Sequence, residues 1–129
     1  MKITSFNPLI ITKDAEAVIA LFEALGFERR HTKTGINDKD ISSVSMRYTG
    51  EDGKVFHVTI TSSQVPQDMT SIRMNVRDFD EAYEFLKAHG FKNSRGEDYA
   101  VESKSSLSCL MIAPSGFSIQ LTQHIRNHD

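Results

Sequence analysis

The strongest constraint on the fold of this sequence is an internal repeat. Residues 13–27, KDAEAVIALFEALGF, align without a gap with residues 77–91, RDFDEAYEFLKAHGF. The identical pairs are Asp14/Asp78, Ala24/Ala88, Gly26/Gly90 and Phe27/Phe91. Most of the remaining apolar positions also carry an apolar residue in both copies. Self-similarity at a fixed spacing indicates one structural unit used twice, so the sequence predicts two similar modules.

The repeat also predicts the domain organisation. The chain has 129 residues, which is the usual length of one domain. We therefore expect a single domain, 1–129, with a first module at 1–64 and a second module at 69–124. The polar segment 64–68 around Pro66 is interpreted as the linker between them.

Each copy of the repeat has the features of a short amphipathic helix. Asp14 and Asp78 are suitable N-caps, because a carboxylate accepts hydrogen bonds from the free amides of a first helical turn. Gly26 and Gly90 fall where a helix ends in a left-handed residue. The apolar positions at spacings of three and four predict the buried stripes, namely Val18, Leu21, Phe22 and Leu25 in one copy and Ala82, Phe85 and Leu86, beside Tyr83, in the other.

Strands flank both predicted helices. The expected strands before the helices are 4–12 and 70–76, and those after them are 41–48, 54–62, 106–112 and 116–123. Shorter strands are expected near 28–32 and 99–102, and the polar stretch 33–40 is interpreted as a mobile loop. The order is therefore β-α-β-β-β twice, which belongs to the α+β class.

This order and the C-terminal segment APSGFSIQL together resemble the vicinal oxygen chelate superfamily, which includes glyoxalase I, bleomycin-resistance proteins and extradiol dioxygenases. The resemblance covers nearly the whole chain and implies two tandem βαβββ modules forming one curved mixed sheet with a concave cleft. The alternative fold, a ferredoxin-like β-α-β-β-α-β domain, leaves one hairpin strand of each half unplaced.

The resemblance also implies where metal ligands would lie. The four matching positions hold Asn7, His57, Ser71 and Gln120. Transition-metal sites are built from imidazole, carboxylate or thiolate, whereas these positions supply one imidazole, two carboxamides and a hydroxyl. We therefore expect no metal ion and no cofactor. His57 is interpreted either as a lone general base or as an ordinary polar residue on a half-open sheet face.

Strand alternation divides the predicted sheet into an apolar and a polar face. Arg73 falls on the polar face, where it is suited to pair with a carboxylate or phosphate. Arg47 joins that face if Ser43 and Ser45 share it. The predicted ligand-binding residues are Asn7, His57, Thr59, Ser71, Arg73, Asn75, Ser118 and Gln120. The alternatives are a solvated sheet face or one covered by a partner subunit.

Composition limits the function further. The net charge of -2 and the pI near 6.2 argue against nucleic acid as a partner. Cys109 is the single cysteine, and no apolar run reaches the roughly 20 residues of a membrane span. The first residues do not resemble a secretory signal, so we expect a cytoplasmic protein.

Two functions remain open at this point. The favoured one is a metal-independent protein of the bleomycin-resistance type that binds a small polar or anionic molecule. The alternative is an enzyme, a lyase or isomerase of glyoxalase type, that uses His57 for proton transfer or a weakly bound divalent metal. The resemblance implies a homodimer in either case.

Overall fold

The computed structural model describes residues 1–34, 42–102 and 106–124. These residues form two compact units. The first unit lies within Asn7–Thr70, and the second unit comprises Met1–Phe6 and the described residues from Ser71 onwards. The first few residues belong to the second unit, where the amide of Arg77 donates a 3.0 Å hydrogen bond to the carbonyl of Lys2.

The first module has one helix and four strands. Its elements are β1 (Ile3–Thr12), α1 (Ala15–Leu25), β2 (Glu28–Thr34), β3 (Ser42–Thr49) and β4 (Val55–Ser62). The strand order is β2-β3-β4-β1. β1 runs parallel to β4, while β3 pairs antiparallel with both β2 and β4.

The second module repeats this arrangement. Its elements are β5 (Met69–Val76), α2 (Phe79–Ala88), β6 (Lys92–Asn93), β7 (Val101–Glu102), β8 (Ser106–Ile112) and β9 (Ser118–His124). The strand order is β5-β9-β8-β6, with β7 also paired to β8. In both modules the strand before the helix runs parallel to the last strand. The predicted α+β class with two βαβββ modules is confirmed.

The predicted caps are present at both helices. The side chain of Asp14 accepts a hydrogen bond from the amide of Ala17 at 3.3 Å, and Asp78 accepts one from Glu81 at 3.1 Å. Gly26 ends α1 with a φ of +106°, a conformation that glycine adopts at little cost. The end of α2 differs slightly from the prediction, because its C-cap is His89 with a φ of -94°, and the left-handed residue, Gly90 with a φ of +91°, comes one position later. The repeat therefore encodes where each helix begins and, to within one residue, where it ends.

The predicted buried stripes of the helices are wrong in part. In α1 the residue packed deepest is Ile19, while Leu21 and Leu25 are exposed. In α2 the buried residues include Phe79, whereas Phe85 is exposed. Ala82, Tyr83 and Leu86 of α2 are buried as predicted. The prediction fails at Leu21, Leu25 and Phe85, because each helix carries more apolar residues than one face can bury.

The predicted strands needed smaller corrections. β2 continues through Lys33 and Thr34, so these two residues are not part of a loop. The remainder of the predicted loop, 35–40, lies outside the described residues. Only 101–102 of the strand predicted near 99–102 are found, and β6 was not predicted.

A separate apolar core lies under each helix. In the first unit Val44, Met46, Val58 and Ile60 pack against Ile19 of α1. In the second unit α2 covers an apolar cluster from three strands that includes Met74, Cys109, Met111, Ile119 and Leu121. Neither helix in the described part of the chain is long and apolar enough to cross a membrane. In each module, the face of the strands that points away from the helix is not part of this core.

Candidate functional site

Polar side chains of the second unit cover the side of β5 and β9 that faces away from α2. In the parallel pairing Arg73 lies opposite Gln120, and Asn75 lies opposite Thr122. The neighbours of these residues along the strands, such as Met74 and Leu121, point into the core. Because side chains alternate along a strand, the polar residues share the other face. We call this surface the Arg73 face, formed by Ser71, Arg73, Asn75, Ser118, Gln120 and Thr122.

Two buried serines form a closed pair at one end of the Arg73 face. The hydroxyl of Ser118 donates to Oγ of Ser71 at 2.8 Å, and Ser71 donates its own hydrogen to the carbonyl oxygen of Ser118 at 2.9 Å. Their exposed fractions are only 4% and 5%. Each hydroxyl therefore finds its partner within the protein, as a buried hydroxyl requires.

Arg73 is the cation of this face. It is partly buried, and burial lowers the pKa of its guanidinium from the ordinary value. Its Nε donates a 3.3 Å hydrogen bond to Oδ1 of Asn75. No carboxylate among the described residues forms an ion pair with it. Since a guanidinium has five N–H donors, most of its donor capacity remains for a ligand.

A hydrogen-bonded chain continues from Arg73 through Asn75 to His124. An arginine can only donate, so the atom of Asn75 that it contacts is the carbonyl oxygen. The amide Nδ2 of Asn75 then lies 3.1 Å from Nε2 of His124. Because Nδ2 is a donor, this ring nitrogen of His124 accepts and carries no hydrogen. The orientation of Asn75 is therefore fixed from both sides.

The position of His124 corrects an expectation from the sequence. The sequence predicts that the last strand ends at residue 123, but β9 runs from Ser118 to His124. Ser118, Gln120 and Thr122 alternate along this strand, and one more step of two residues reaches His124, so the sequence pattern already indicated this position.

The first unit presents its own polar face on β3 and β4, away from α1. Thr59 is buried and donates its hydroxyl hydrogen to Oδ1 of Asn7 at 3.0 Å. His57 is exposed and lies opposite Arg47 in the antiparallel pairing. Ser45 lies opposite Thr59, so the condition for Arg47 to share the face of His57 is met. The side chain of His57 has no hydrogen-bond partner within the described ranges.

The four positions of the family's metal ligands do not fit a transition metal. The first unit supplies Asn7 and His57, and Oδ1 of Asn7 is already bonded to Thr59. The second unit supplies Ser71, which is bonded to its serine partner, and Gln120. Neither pair contains a carboxylate or thiolate, the anionic ligands that such sites normally use. In the part of the chain that the structure describes, no three His, Cys, Asp or Glu side chains come together.

Cys109 is not part of either polar face. It points into the core of the second unit with 4% of its surface exposed. Burial raises the pKa of its thiol from 9.0 to about 11. A thiol must lose its proton to act as a nucleophile, so Cys109 is an inert core residue.

A protein-family model matches most of the chain. The model describes the glyoxalase/bleomycin resistance protein/dioxygenase superfamily and matches residues 3–120. No curated protein matches the sequence. The family match therefore comes from the domain pattern rather than from a relative of known activity.

Solved structures share the fold at low sequence identity. Methylmalonyl-CoA epimerase from Streptomyces coelicolor, in complex with 2-nitronate-propionyl-CoA, is 14% identical, with a TM-score of 0.67 over 98% of this chain and 99% of that one. The Mycobacterium tuberculosis epimerase is 15% identical, with a TM-score of 0.64 over 96% and 90%. A Mn(II)-bound glyoxalase from Novosphingobium aromaticivorans is 14% identical, with a TM-score of 0.56 over 99% of this chain but 42% of that one.

Proposed function

This chain belongs to the glyoxalase/bleomycin resistance protein/dioxygenase superfamily, and from that premise we propose that it binds a small anionic molecule on the Arg73 face without a metal ion. The alternative of a purely solvated sheet face is disfavoured by the burial of this surface. Ser71, Ser118 and Thr122 are all at most 5% exposed. The polar groups of this face that remain for a ligand are those of Arg73 and Gln120, which are only partly buried.

The proposal depends on one observation: Arg73 is partly buried and has no ion pair with a described carboxylate. A cation withdrawn from water is costly unless an opposite charge compensates it, and the described residues place no carboxylate against Arg73. A carboxylate or phosphate of a ligand would supply that charge through two parallel N–H···O bonds. Gln120, directly opposite on β9, offers an amide to the same group.

The relatives agree with a small-molecule function but do not identify the ligand. The S. coelicolor epimerase is in complex with 2-nitronate-propionyl-CoA, and the N. aromaticivorans glyoxalase is Mn(II)-bound. At 14% sequence identity, these structural similarities support only the fold. We propose metal independence from the donor chemistry at Asn7, His57, Ser71 and Gln120, which lacks an anionic ligand.

The experiment is a thermal-shift series on EDTA-treated protein with acetate, succinate, phosphate and methylmalonyl-CoA. We expect at least one anion to raise the melting temperature, and the increase to disappear in Arg73→Gln. Arg77→Gln is the matched control, because Arg77 is exposed and lies just beyond the end of β5. Equal stabilisation of the Arg73→Gln protein would refute the assignment of the anion to this face.

Two further properties belong to the same proposal. We propose a homodimer, which is the state that the family resemblance implies, and a cytoplasmic location, which a reduced Cys109 would suit. Sedimentation equilibrium at micromolar concentration tests the first. A molecular mass equal to that of the monomer at every concentration would refute the proposed dimer.

A second function, isomerase or lyase chemistry at His57, is favoured by one observation. The imidazole is exposed and lies opposite Arg47 in the strand pairing, so a candidate general base is next to a cation that can stabilise an oxyanion. Deuterium uptake from D2O at the acidic carbon of methylmalonyl-CoA is the test. Uptake that His57→Gln abolishes would establish it, and no uptake by the wild-type protein would exclude it for this substrate.

A further inference from the structure

The Arg73 face continues beyond β9 onto β8, where the polar side chains give way to apolar ones. In the antiparallel pairing of these strands, Leu110 lies opposite Gln120, and Ile112 lies opposite Ser118. Directly opposed residues of a sheet point to the same side, so Leu110 and Ile112 share the side of the Arg73 face. Both are partly exposed. An apolar surface that a ligand can reach is therefore next to the polar one.

The other residues of β8 support this assignment. Cys109 and Met111 alternate with Leu110 and Ile112, and both are buried in the core under α2. Because successive side chains of a strand point to opposite sides, Leu110 and Ile112 point away from α2. They are not needed to cover that core and remain available for contact with another molecule.

Lys92 places a second cation at the far end of this surface. In β6 it lies opposite Ile112, so its side chain is on the same side of the strands. The next residue, Asn93, points to the other side and contacts the hydroxyl of Tyr83 on α2. Lys92 is exposed and has no ion pair with any described residue. We call Leu110, Ile112 and Lys92 the β8–β6 surface.

The separation of Arg73 and Lys92 limits which ligands can contact both. In the order β5-β9-β8-β6, three strand spacings separate the strands that carry them. With about 4.8 Å per spacing and an offset of two residues along the strands, their Cα atoms lie about 16 Å apart. Side chains stand roughly perpendicular to a sheet, so the charged groups keep a similar separation. One small anion is too short to contact both cations.

We propose that the Arg73 face and the β8–β6 surface together bind an elongated diacid with an apolar middle. One carboxylate would pair with Arg73 and the other with Lys92. The hydrocarbon between them would cover Leu110 and Ile112. This inference rests on the anion binding proposed for Arg73 and specifies the class of ligand. Its basis is charge complementarity, because two separated cations flank an apolar surface.

The test is calorimetric titration of the full chain with suberate, octanoate and succinate. Suberate and octanoate have the same number of carbons but carry two carboxylates and one, respectively. Succinate is a diacid that is too short to reach both cations. We expect suberate to bind more tightly than succinate, because only the longer chain covers the apolar residues and reaches Lys92. Equal affinities for suberate and succinate would overturn the proposal.

Substitutions of Lys92 test its role directly. Lys92→Gln should weaken suberate binding about two- to fivefold, the contribution of an exposed ion pair, and leave octanoate and succinate unchanged. Lys92→Glu should weaken suberate further, because the second carboxylate then meets a like charge. Lys87→Gln is the matched control, since it removes the same charge from α2, on the other side of the strands. Equal losses of suberate affinity in Lys92→Gln and Lys87→Gln, or equal losses for suberate and octanoate in Lys92→Gln, would reject the site.

Arg73→Gln separates this inference from the proposal on which it rests. If Arg73→Gln leaves the affinity for all three acids unchanged, anion binding on the Arg73 face is refuted, and the diacid with it. If Arg73→Gln weakens all three acids but Lys92→Gln weakens none, the anion site stands and only the diacid is refuted. We expect Arg73→Gln to weaken all three and Lys92→Gln to weaken suberate alone.

Discussion

The Nε of Arg73 donates a 3.3 Å hydrogen bond to Oδ1 of Asn75, two residues further along the same strand. The second atom of that amide is in turn held by His124. A neutral amide can orient a guanidinium in this way but cannot neutralise it. The protein therefore keeps a positioned cation that still lacks a counter-ion among the described residues.

Asn75→Asp should weaken anion binding at Arg73. The new carboxylate would keep the bond to Arg73 and add the missing negative charge, so a ligand would compete with an internal partner. We expect the affinity for anions to fall about tenfold or more, which corresponds to roughly 1.4 kcal/mol. Gln64→Glu, which adds the same charge in an exposed segment, is the control. If both variants bind anions equally well in calorimetric titrations, Arg73 is not the binding cation.

Ser71→Ala and Ser118→Ala should be non-additive. Either single change leaves one buried hydroxyl or carbonyl of the pair without its partner, at a cost of about 1–3 kcal/mol in the free energy of unfolding. The double variant removes both hydroxyls and should cost less than the sum of the singles. Urea unfolding of the four proteins gives the coupling energy. If the two losses in the free energy of unfolding simply add, the two serine hydrogen bonds do not depend on each other.

Gly90→Ala should destabilise the protein more than Gly53→Ala. Both glycines have a positive φ, +91° and +82°, so each substitution carries a similar backbone cost of about 1–2 kcal/mol. A Cβ at Gly90 would also lie 2.7 Å from Cγ of Pro114, whereas one at Gly53 meets nothing within 4 Å. Overpacking of this kind adds about 1–3 kcal/mol. Equal unfolding free energies for the two variants would contradict the close approach of Pro114.

Cys109 should react only when the second unit opens. Its thiol pKa of about 11 leaves almost no thiolate at neutral pH, and the side chain is buried. The pKa in the unfolded chain is lower, near 9.0, so the contribution of Cys109 to stability is complete below that value and declines as the pH rises towards 11. Cys109→Ala should flatten the stability profile over that interval. Rapid modification of the native protein by a thiol reagent at pH 8 would show that the site is more open than described.

The order of the elements and the division of the strands into two faces could be predicted from the sequence. The repeat located both capping aspartates. Alternation separated Arg73 from Ile72 and Met74, because a shift of one residue would bury a charge. These features are local in the sequence, so no knowledge of tertiary contacts was needed.

The helix faces, β6 and the turn after it could not be predicted in the same way. α1 has apolar residues on several sides, so periodicity does not decide between Ile19 and Leu21. β6 has two residues, too few for any pattern to identify it as a strand. The turn after β6 is held by contacts with α2, such as the bond between Tyr83 and Asp98, which link residues 15 positions apart.

The most direct test of the account is the affinity of metal-depleted protein for an anion from the thermal-shift series. Calorimetric titration after dialysis against EDTA should give the same dissociation constant as titration with zinc or manganese added. Arg73→Gln should weaken that constant at least tenfold, while Arg77→Gln leaves it unchanged. Binding that appears only when a metal is added, or that survives the loss of Arg73, would contradict metal-independent anion binding on the Arg73 face.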